Sequence, residues 1–219
     1  MKARPANLRT NAGPAWALLA ASALVLGACS TVPGSASLPA ARGLTAEELA
    51  ETFDPADLYR GVQIGRAECA RKKYAVWVAH RYGTECIRYY PSAGVDGAER
   101  VVFFFHGDVL DGRKPLPGAS VGNSVGAKLA EAQRAADAHG IPFILVSRPG
   151  AFGSSGEHDA RRLPKEFHSL DAAVDAIRAR HRIREVVLAG QSGGATAVGA
   201  LLTLGRRDVR CAVASSGGY

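Results

Sequence analysis

The second half of the chain alternates between unbroken apolar runs and stretches with helical spacing. The unbroken runs predict strands that are buried on both faces, and they lie at Val101–Gly107, Ile141–Val146, Glu185–Ala189 and Val209–Ala214. Between the second and third runs, apolar residues recur at helical spacing, at Phe167, Leu170, Val174 and Ile177. This alternation predicts an α/β fold, with a mostly parallel sheet that carries helices on both faces.

Two glycines mark predicted helix ends in this region. Gly140 follows a helix that leads out of the loop after the first strand, and Gly205 follows a helix predicted over Ala195–Leu204. Glycine is common at such positions because it adopts the left-handed conformation without steric cost.

The chain before residue 101 predicts a short helix and a hairpin. Thr45 and Glu48 have the spacing of a capping box, which opens a helix. Two β-rich runs, Tyr74–His80 and Glu85–Tyr90, meet around Gly83 and predict two antiparallel strands.

The N-terminus has the pattern of a secretory signal. A basic start precedes an apolar core over Ala15–Ala28, and at about 14 residues this core is too short to span a membrane. The core ends in Leu26-Gly27-Ala28-Cys29, which resembles a bacterial lipobox. We therefore predict a lipoprotein signal peptide over 1–28, lipidation of Cys29, a flexible tether over 29–44 and a domain over 45–219. The alternative is an ordinary signal peptide that is cut near Ala28.

The lipobox implies a protein of the bacterial cell envelope, secreted and held on the membrane by its lipid. Ser30 after the cysteine favours the outer membrane, facing the periplasm. The formal charge is +7, and removal of residues 1–28 removes three positive charges and leaves +4. No basic run is interleaved with aromatic residues, so we expect no nucleic-acid partner.

Three cysteines remain when Cys29 is lipidated. Cys69 and Cys86 enclose a loop of about 17 residues, and a bridge there would contribute roughly 3 kcal/mol. The alternative is that all three are free thiols. Cys211 lies in an apolar strand pattern and is predicted to be a buried free thiol.

The pattern Gly-x-Ser-x-Gly occurs three times, around Ser120, Ser124 and Ser192. A nucleophile needs more than the pattern, because the sharp turn that exposes it joins a buried strand to a helix. Ser120 and Ser124 follow a polar loop that contains prolines. Ser192 follows the strand Glu185–Ala189 and opens a predicted helix, so only the third match predicts a catalytic serine. The alternative is a structural Gly-Ser turn.

With these motifs, residues from about 74 to 219 resemble the first two thirds of an α/β-hydrolase domain, similar to the prolyl-oligopeptidase-like and dienelactone-hydrolase-like branches. The resemblance includes the His106-Gly107 pair after a strand. It implies a serine hydrolase that cleaves an ester or peptide bond of a small-molecule substrate through an acyl-enzyme. It also implies that the N–H groups of Gly193 and Asp108 form the oxyanion hole. No cofactor or metal is expected.

The loop over 147–158 follows the strand Ile141–Val146 at the same edge of the sheet. Arg148 and His158 are candidates to line the substrate pocket, but the polar sequence favours a solvated turn. His106 is either a third pocket residue or a residue that shapes its own loop.

The resemblance also implies a catalytic acid and then a histidine after the serine. The only acid after Ser192 is Asp208, just before a strand, and all six histidines precede Ser192. Three explanations are open: the chain is a fragment of a longer enzyme, it is a truncated non-catalytic envelope lipoprotein that binds a ligand or partner, or His158 serves as the base. We favour the first.

Overall fold

The structure is a computed structural model that describes residues 38–111, 114–115 and 122–218. The predicted signal peptide, Cys29, most of the tether and Ser120 lie outside the described residues. Among the helices that are described, none is long and apolar enough to cross a membrane.

The fold is built on a six-stranded mixed sheet. The described strands are β1 (Ala75–His80), β2 (Gly83–Pro91), β3 (Arg100–Phe105), β4 (Leu110–Asp111), β5 (Lys114–Pro115), β6 (Phe143–Val146), β7 (Glu185–Gln191) and β8 (Val209–Ser215). The strand order in the large sheet is β1-β2-β6-β3-β7-β8, and β4 pairs with β5 in a separate ribbon. The strands β6, β3, β7 and β8 are parallel, whereas β1 and β2 are antiparallel to their neighbours.

Six α-helices and two 3-10 turns are described. The helices are α1 (Ala46–Ala50), α2 (Asp57–Arg60), α3 (Arg66–Arg71), α4 (Val125–His139), α5 (Pro164–His181) and α6 (Gly193–Thr203). The 3-10 turns are Pro39–Ala41 and His158–Ala160.

Successive side chains of β3 point to opposite faces of the sheet, and each face has its own core. Phe103 and Phe105 pack in the core that contains the buried residues of α5 and α6. Val102 packs on the other face, in the core that contains the buried residues of α4. The predicted mostly parallel sheet with helices on both faces is confirmed.

The order of the strands creates a cleft at one edge of the sheet. From β3 the chain passes through α4 to β6 on one side, and from β7 it passes through α6 to β8 on the other. The helices that follow β3 and β7 therefore leave towards opposite faces, and the carboxyl ends of these neighbouring strands flank a crevice. Such a switch point is where open α/β sheets bind ligands.

Most of the local predictions are confirmed. Thr45 and Glu48 form both hydrogen bonds of a capping box, β1 and β2 form the hairpin, and Gly140 ends α4 with a φ of 65°. The predicted strand Ile141–Val146 begins later, at Phe143, because Pro142 has no N–H for a sheet hydrogen bond.

The cysteines differ in their surroundings. Cys69 of α3 and Cys86 of β2 form a disulfide, and both are buried. The prediction that Cys211 is a buried thiol is wrong, because Cys211 is exposed. It lies on β8, which pairs only with β7 among the described strands and whose side chains are mostly exposed.

Candidate active site

Ser192 lies in the crevice, at the turn between β7 and α6. Its backbone has a φ of 53° and a ψ of −121°, a conformation that a residue with a Cβ adopts only at a cost of order 1–3 kcal/mol. Its N–H donates to the carbonyl of Ser215 at 2.8 Å, and its own carbonyl accepts from Ala195 and Thr196. The side chain is partly buried, and within the described residues its hydroxyl has no hydrogen-bond partner.

Two glycines make this turn sterically feasible. A Cβ on Gly190 would overlap the backbone of Gly194, and a Cβ on Gly194 would overlap the carbonyl groups of Phe105 and His106. The turn therefore packs backbone against backbone on the end of β3. This close packing explains the small residues two positions before and after Ser192.

The loop after β3 lies directly against the turn. A Cβ on Gly107 would meet the side chain of Gln191 and, at 3.3 Å, the Cβ of Ser192. The Asp108 carboxylate lies beside the Cα of Gly193. Among the described residues, the N–H groups of Asp108 and Gly193 donate to no protein acceptor. Their role as oxyanion donors stays a prediction.

His106 is held in one tautomer. Its Nε2 accepts from the N–H of Arg148 at 3.2 Å, so the proton is on Nδ1, which donates to the carbonyl of Gly107 at 2.6 Å. Burial and the charge of Arg148 hold the pKa of His106 well below its ordinary value. Both ring nitrogens are occupied, so His106 shapes its loop and is not placed to act as a base.

A buried ion network supports the same loop. Arg148 is fully buried, and its Nη1 and Nε atoms contact the carboxylates of Asp108 at 2.7 Å and Glu166 at 2.5 Å. Arg162 and Arg161 contact the second oxygen of Asp108 at 2.6 Å and 3.3 Å. Three guanidinium groups thus surround one carboxylate.

The charges of this network shift the pKa of its members. Burial alone would raise the pKa of Asp108, but the hydrogen bond and charge of Arg148 outweigh it and lower that pKa. Burial would lower the pKa of Arg148, and Glu166 and Asp108 raise it. Asp108 is therefore ionised at neutral pH, and its side chain is fixed.

The expectation of a solvated turn over residues 147–158 is wrong. Arg148 and His158 are both fully buried, because the loop folds back onto β2. The hydroxyl of Ser155 accepts from the N–H of Cys86 at 2.7 Å, and that of Ser154 accepts from the N–H of Arg88 at 2.9 Å. Arg148 and His158 lie beneath the site rather than in solvent.

His158 is not hydrogen-bonded to Ser192. Its Nε2 accepts from the N–H of Val109 at 3.4 Å, and burial followed by the charge of Arg148 lowers its pKa to about 3. The imidazole is neutral above that pH, but its Nε2 faces the N–H of Val109 in the loop after β3 and not Ser192. This geometry does not support the hypothesis that His158 acts as the base.

The other candidates for acid and base also have partners elsewhere. Asp208 is bound by Arg206 through two hydrogen bonds at the amino end of β8. His181 contacts Asp96 and Tyr89, and His80 contacts Ser169. Across the described residues, no histidine is hydrogen-bonded to Ser192.

Glu166, Arg161 and Arg162 belong to this ion network, but their sequence context does not single them out. Glu166 stands in the first turn of α5, where an acidic residue is typical of an exposed helix start. The one signal that could have indicated the network is the Arg161-Arg162 pair directly before that turn.

Comparison with known proteins identifies similar folds but no family. No protein-family model matches the sequence, and no curated protein matches it. One similar solved structure is the ferulic acid-bound esterase Est1E from Butyrivibrio proteoclasticus, at 14% identity and a TM-score of 0.48, covering 65% of this chain and 53% of that chain. A thermophilic esterase from Thermogutta terrifontis has 15% identity and a TM-score of 0.46, covering 66% of this chain and 46% of that chain. The esterase Pf2001 from Pyrococcus furiosus has 14% identity and a TM-score of 0.45, covering 72% of this chain and 56% of that chain. The chain spans about half the length of these proteins. Likenesses of this size do not identify an activity.

Proposed function

We propose that the chain carries the nucleophile of an α/β-type serine hydrolase, which attacks an ester or peptide carbonyl through Ser192. The observation that carries the proposal is the backbone of Ser192, with its φ of 53° at a strand-to-helix turn beside the crevice. Strained backbone of this kind clusters at functional sites. The hydroxyl of the same residue, which has no hydrogen-bond partner in the described part of the chain, is the group that would react.

In the proposed reaction, the Oγ atom of Ser192 attacks the carbonyl carbon and gives up its proton, and the carbonyl oxygen becomes an oxyanion. The N–H groups of Gly193 and Asp108 stabilise that oxyanion, and one such donor is worth about 3–4 kcal/mol. The bond between the carbonyl carbon and the leaving group then breaks, and the leaving group departs with the proton from Oγ. Water hydrolyses the acyl-enzyme, which releases the acid and restores the Ser192 hydroxyl. The proposal assigns the nucleophile and the donors, and it assigns no base.

In this proposal the ion network holds the oxyanion donor of Asp108 in place and takes no part in making or breaking bonds. Because Arg148 and Arg162 hold both carboxylate oxygens of Asp108, the backbone N–H of the same residue is preorganised. A fixed donor needs no reorganisation when the oxyanion forms.

A non-catalytic role is the second candidate. The observation that favours it is the absence, among the described residues, of a histidine hydrogen-bonded to Ser192. In this case the crevice binds a ligand or partner without cleaving it, as folds of this class also allow.

An activity-based probe separates the two candidates. We expect a fluorophosphonate to label the full chain, labelling to be lost in Ser192→Ala and to be unchanged in Ser120→Ala, which alters the same Gly-x-Ser-x-Gly pattern. A folded chain that is not labelled would favour the binding role. Equal labelling of both variants would show that Ser192 is not the nucleophile.

The membrane location is a separate part of the proposal. We propose that a lipid on Cys29 holds the protein in the bacterial cell envelope, at the outer membrane. Two or three acyl chains would make this attachment stable. Incorporation of labelled palmitate that persists in Cys29→Ala would contradict it.

A further inference from the structure

A polar groove lies at the edge of the sheet opposite Ser192. The loop over 92–96 precedes β3, and the end of α5 precedes β7, so both lie at the amino ends of parallel strands. With the 3-10 turn Pro39–Ala41, residues 73–74 before β1 and the end of β2, they line a groove of about 490 Å³. Ser192, by contrast, follows the carboxyl end of β7.

Three cations line this groove without a carboxylate partner. Among the described residues, Arg42, Lys73 and Arg180 form no ion pair. Asp96 is the one acidic residue of the lining, and its carboxylate is bound to Nδ1 of His181 at 2.7 Å. The groove thus has an excess of at least two positive charges.

Arg180 is fixed in its orientation by one nitrogen. Its Nη1 donates to the carbonyl of Ala75 at 2.6 Å and to the hydroxyl of Tyr89 at 3.2 Å. Its Nε and Nη2 atoms make no hydrogen bond within the described ranges. A guanidinium held in this way offers further donors and has already lost most of its rotational freedom.

Tyr89 and His181 form the support beneath Arg180. The Tyr89 hydroxyl contacts Nε2 of His181 at 2.9 Å, and both residues are buried. Because Asp96 holds the other ring nitrogen through Oδ1, both nitrogens of His181 have a partner. The Tyr89 hydroxyl, held in this way, positions Arg180.

We propose that the groove binds an organic phosphate. A dianion matches the charge excess, and an arginine held by hydrogen bonds, together with a lysine of the same groove, is a common way of binding phosphate oxygens. The volume accommodates a phosphate together with a small organic substituent. The phosphate belongs either to a soluble phosphate ester or to a phospholipid headgroup, since Pro39 and Ala40 connect the groove to the predicted tether.

The test uses the full chain with Cys29→Ala, so that no acyl chain contributes to binding. Glycerol 3-phosphate is titrated by calorimetry, and flotation is measured with phosphatidylcholine vesicles with and without phosphatidylglycerol. The test variant is Lys73→Gln/Arg180→Gln. The control variant is Arg184→Gln/Arg207→Gln, which removes the same charge outside the groove, and circular dichroism checks the fold of both.

We expect binding to weaken roughly tenfold or more in the test variant, as the loss of a charged hydrogen bond implies, and to stay within about twofold in the control. Binding of glycerol 3-phosphate assigns the site to a soluble ester. Binding only to vesicles that contain phosphatidylglycerol assigns it to a headgroup. No binding to either probe, or an equal loss in the control, would overturn the proposal.

Discussion

The two edges of the sheet bring hydroxyl groups and histidines together in different ways. At the carboxyl edge, the hydroxyl of Ser192 stands on a strained backbone, and no described histidine is bound to it. At the amino edge, Asp96, His181 and Tyr89 form a continuous chain of acid, imidazole and hydroxyl. By hydrogen bonds alone, the second edge is more like a catalytic triad than the first.

The backbone of Ser192 and the pKa of the Tyr89 hydroxyl favour the carboxyl edge instead as the place for chemistry. Tyr89 lies inside β2, and burial raises the pKa of its phenol although the hydrogen bond and charge of Arg180 oppose this shift. A neutral phenol that is fully buried is a poor nucleophile. Ser192 stands on a costly backbone, and its hydroxyl has no partner among the described residues, so it is the better candidate for a reactive group.

The largest difference between the two edges is expected in the free energy of unfolding that is lost when a buried arginine is replaced. We expect Arg148→Met to lower the free energy of unfolding by about 3–5 kcal/mol, because it leaves Glu166 as a buried carboxylate with no cation among the described residues and removes one of the three guanidinium groups around Asp108. Arg206→Met at the amino edge should cost about 1–2 kcal/mol, since the carboxylates of Asp171 and Asp175 are 27% and 64% exposed. Urea unfolding measures both, and equal losses would contradict the comparison.

The carboxyl edge should also be the more sensitive to acid. Burial keeps His158 neutral in the folded protein down to about pH 3, while the unfolded chain takes up a proton near pH 6.5. Between these values the unfolded state binds more protons, so stability falls as the pH falls. Between pH 7 and pH 4 we expect a loss on the order of 3 kcal/mol from this residue.

Substitution of the histidine isolates its share of this pH dependence. The slope of stability against pH, measured by urea unfolding from pH 7 to pH 4, should decrease in His158→Gln. It should be unchanged in His139→Gln, which replaces an exposed histidine at the end of α4. Equal slopes in the wild type and His158→Gln would contradict the buried neutral state of His158.

A smaller loss of stability is expected when a glycine of the turn around Ser192 is replaced. Gly190→Ala should lower the free energy of unfolding by about 1–3 kcal/mol, because the new methyl group overlaps the backbone of Gly194. Gly65→Ala is the matched control, since no atom lies within 4 Å of the added Cβ and its φ is −75°. Thermal unfolding of the two variants gives the difference, and a neutral Gly190→Ala would show that the turn is loosely packed.

The smallest expected change in the free energy of unfolding is an increase. Ser192→Gly should raise the free energy of unfolding by about 1 kcal/mol, because glycine adopts a positive φ without a Cβ clash. Ser124→Gly, which changes an N-cap serine with a φ of −102°, should be neutral or slightly destabilising. A destabilised Ser192→Gly would show that the serine side chain contributes more than the strain costs.

Much of the fold could be predicted because its signals are local. The runs at β3 and β7 are apolar without interruption since both strands are buried on two faces. Ser192 could be singled out from Ser120 and Ser124 because its turn requires a strand before it and a helix after it. These features depend on neighbours in sequence.

The ion network could not be predicted because it joins distant segments. Asp108 and Arg148 come from two different loops and Glu166 comes from the first turn of α5. Each alone has the sequence context of an exposed polar residue. Their burial follows from the folding of residues 147–158 onto β2, which the serine hydroxyl groups stabilise. The exposure of Cys211 has a similar cause, since it depends on which strands lie beside β8.

The hydrogen bond from the Ser192 N–H to the Ser215 carbonyl has a consequence for the order of folding. Its acceptor is at the end of β8, so the turn around Ser192 gains this bond only after β8 has paired with β7. On a ribosome, this turn leaves the exit tunnel before the segment that completes it. Ser192 is thus among the last parts of the described sheet to reach its final geometry.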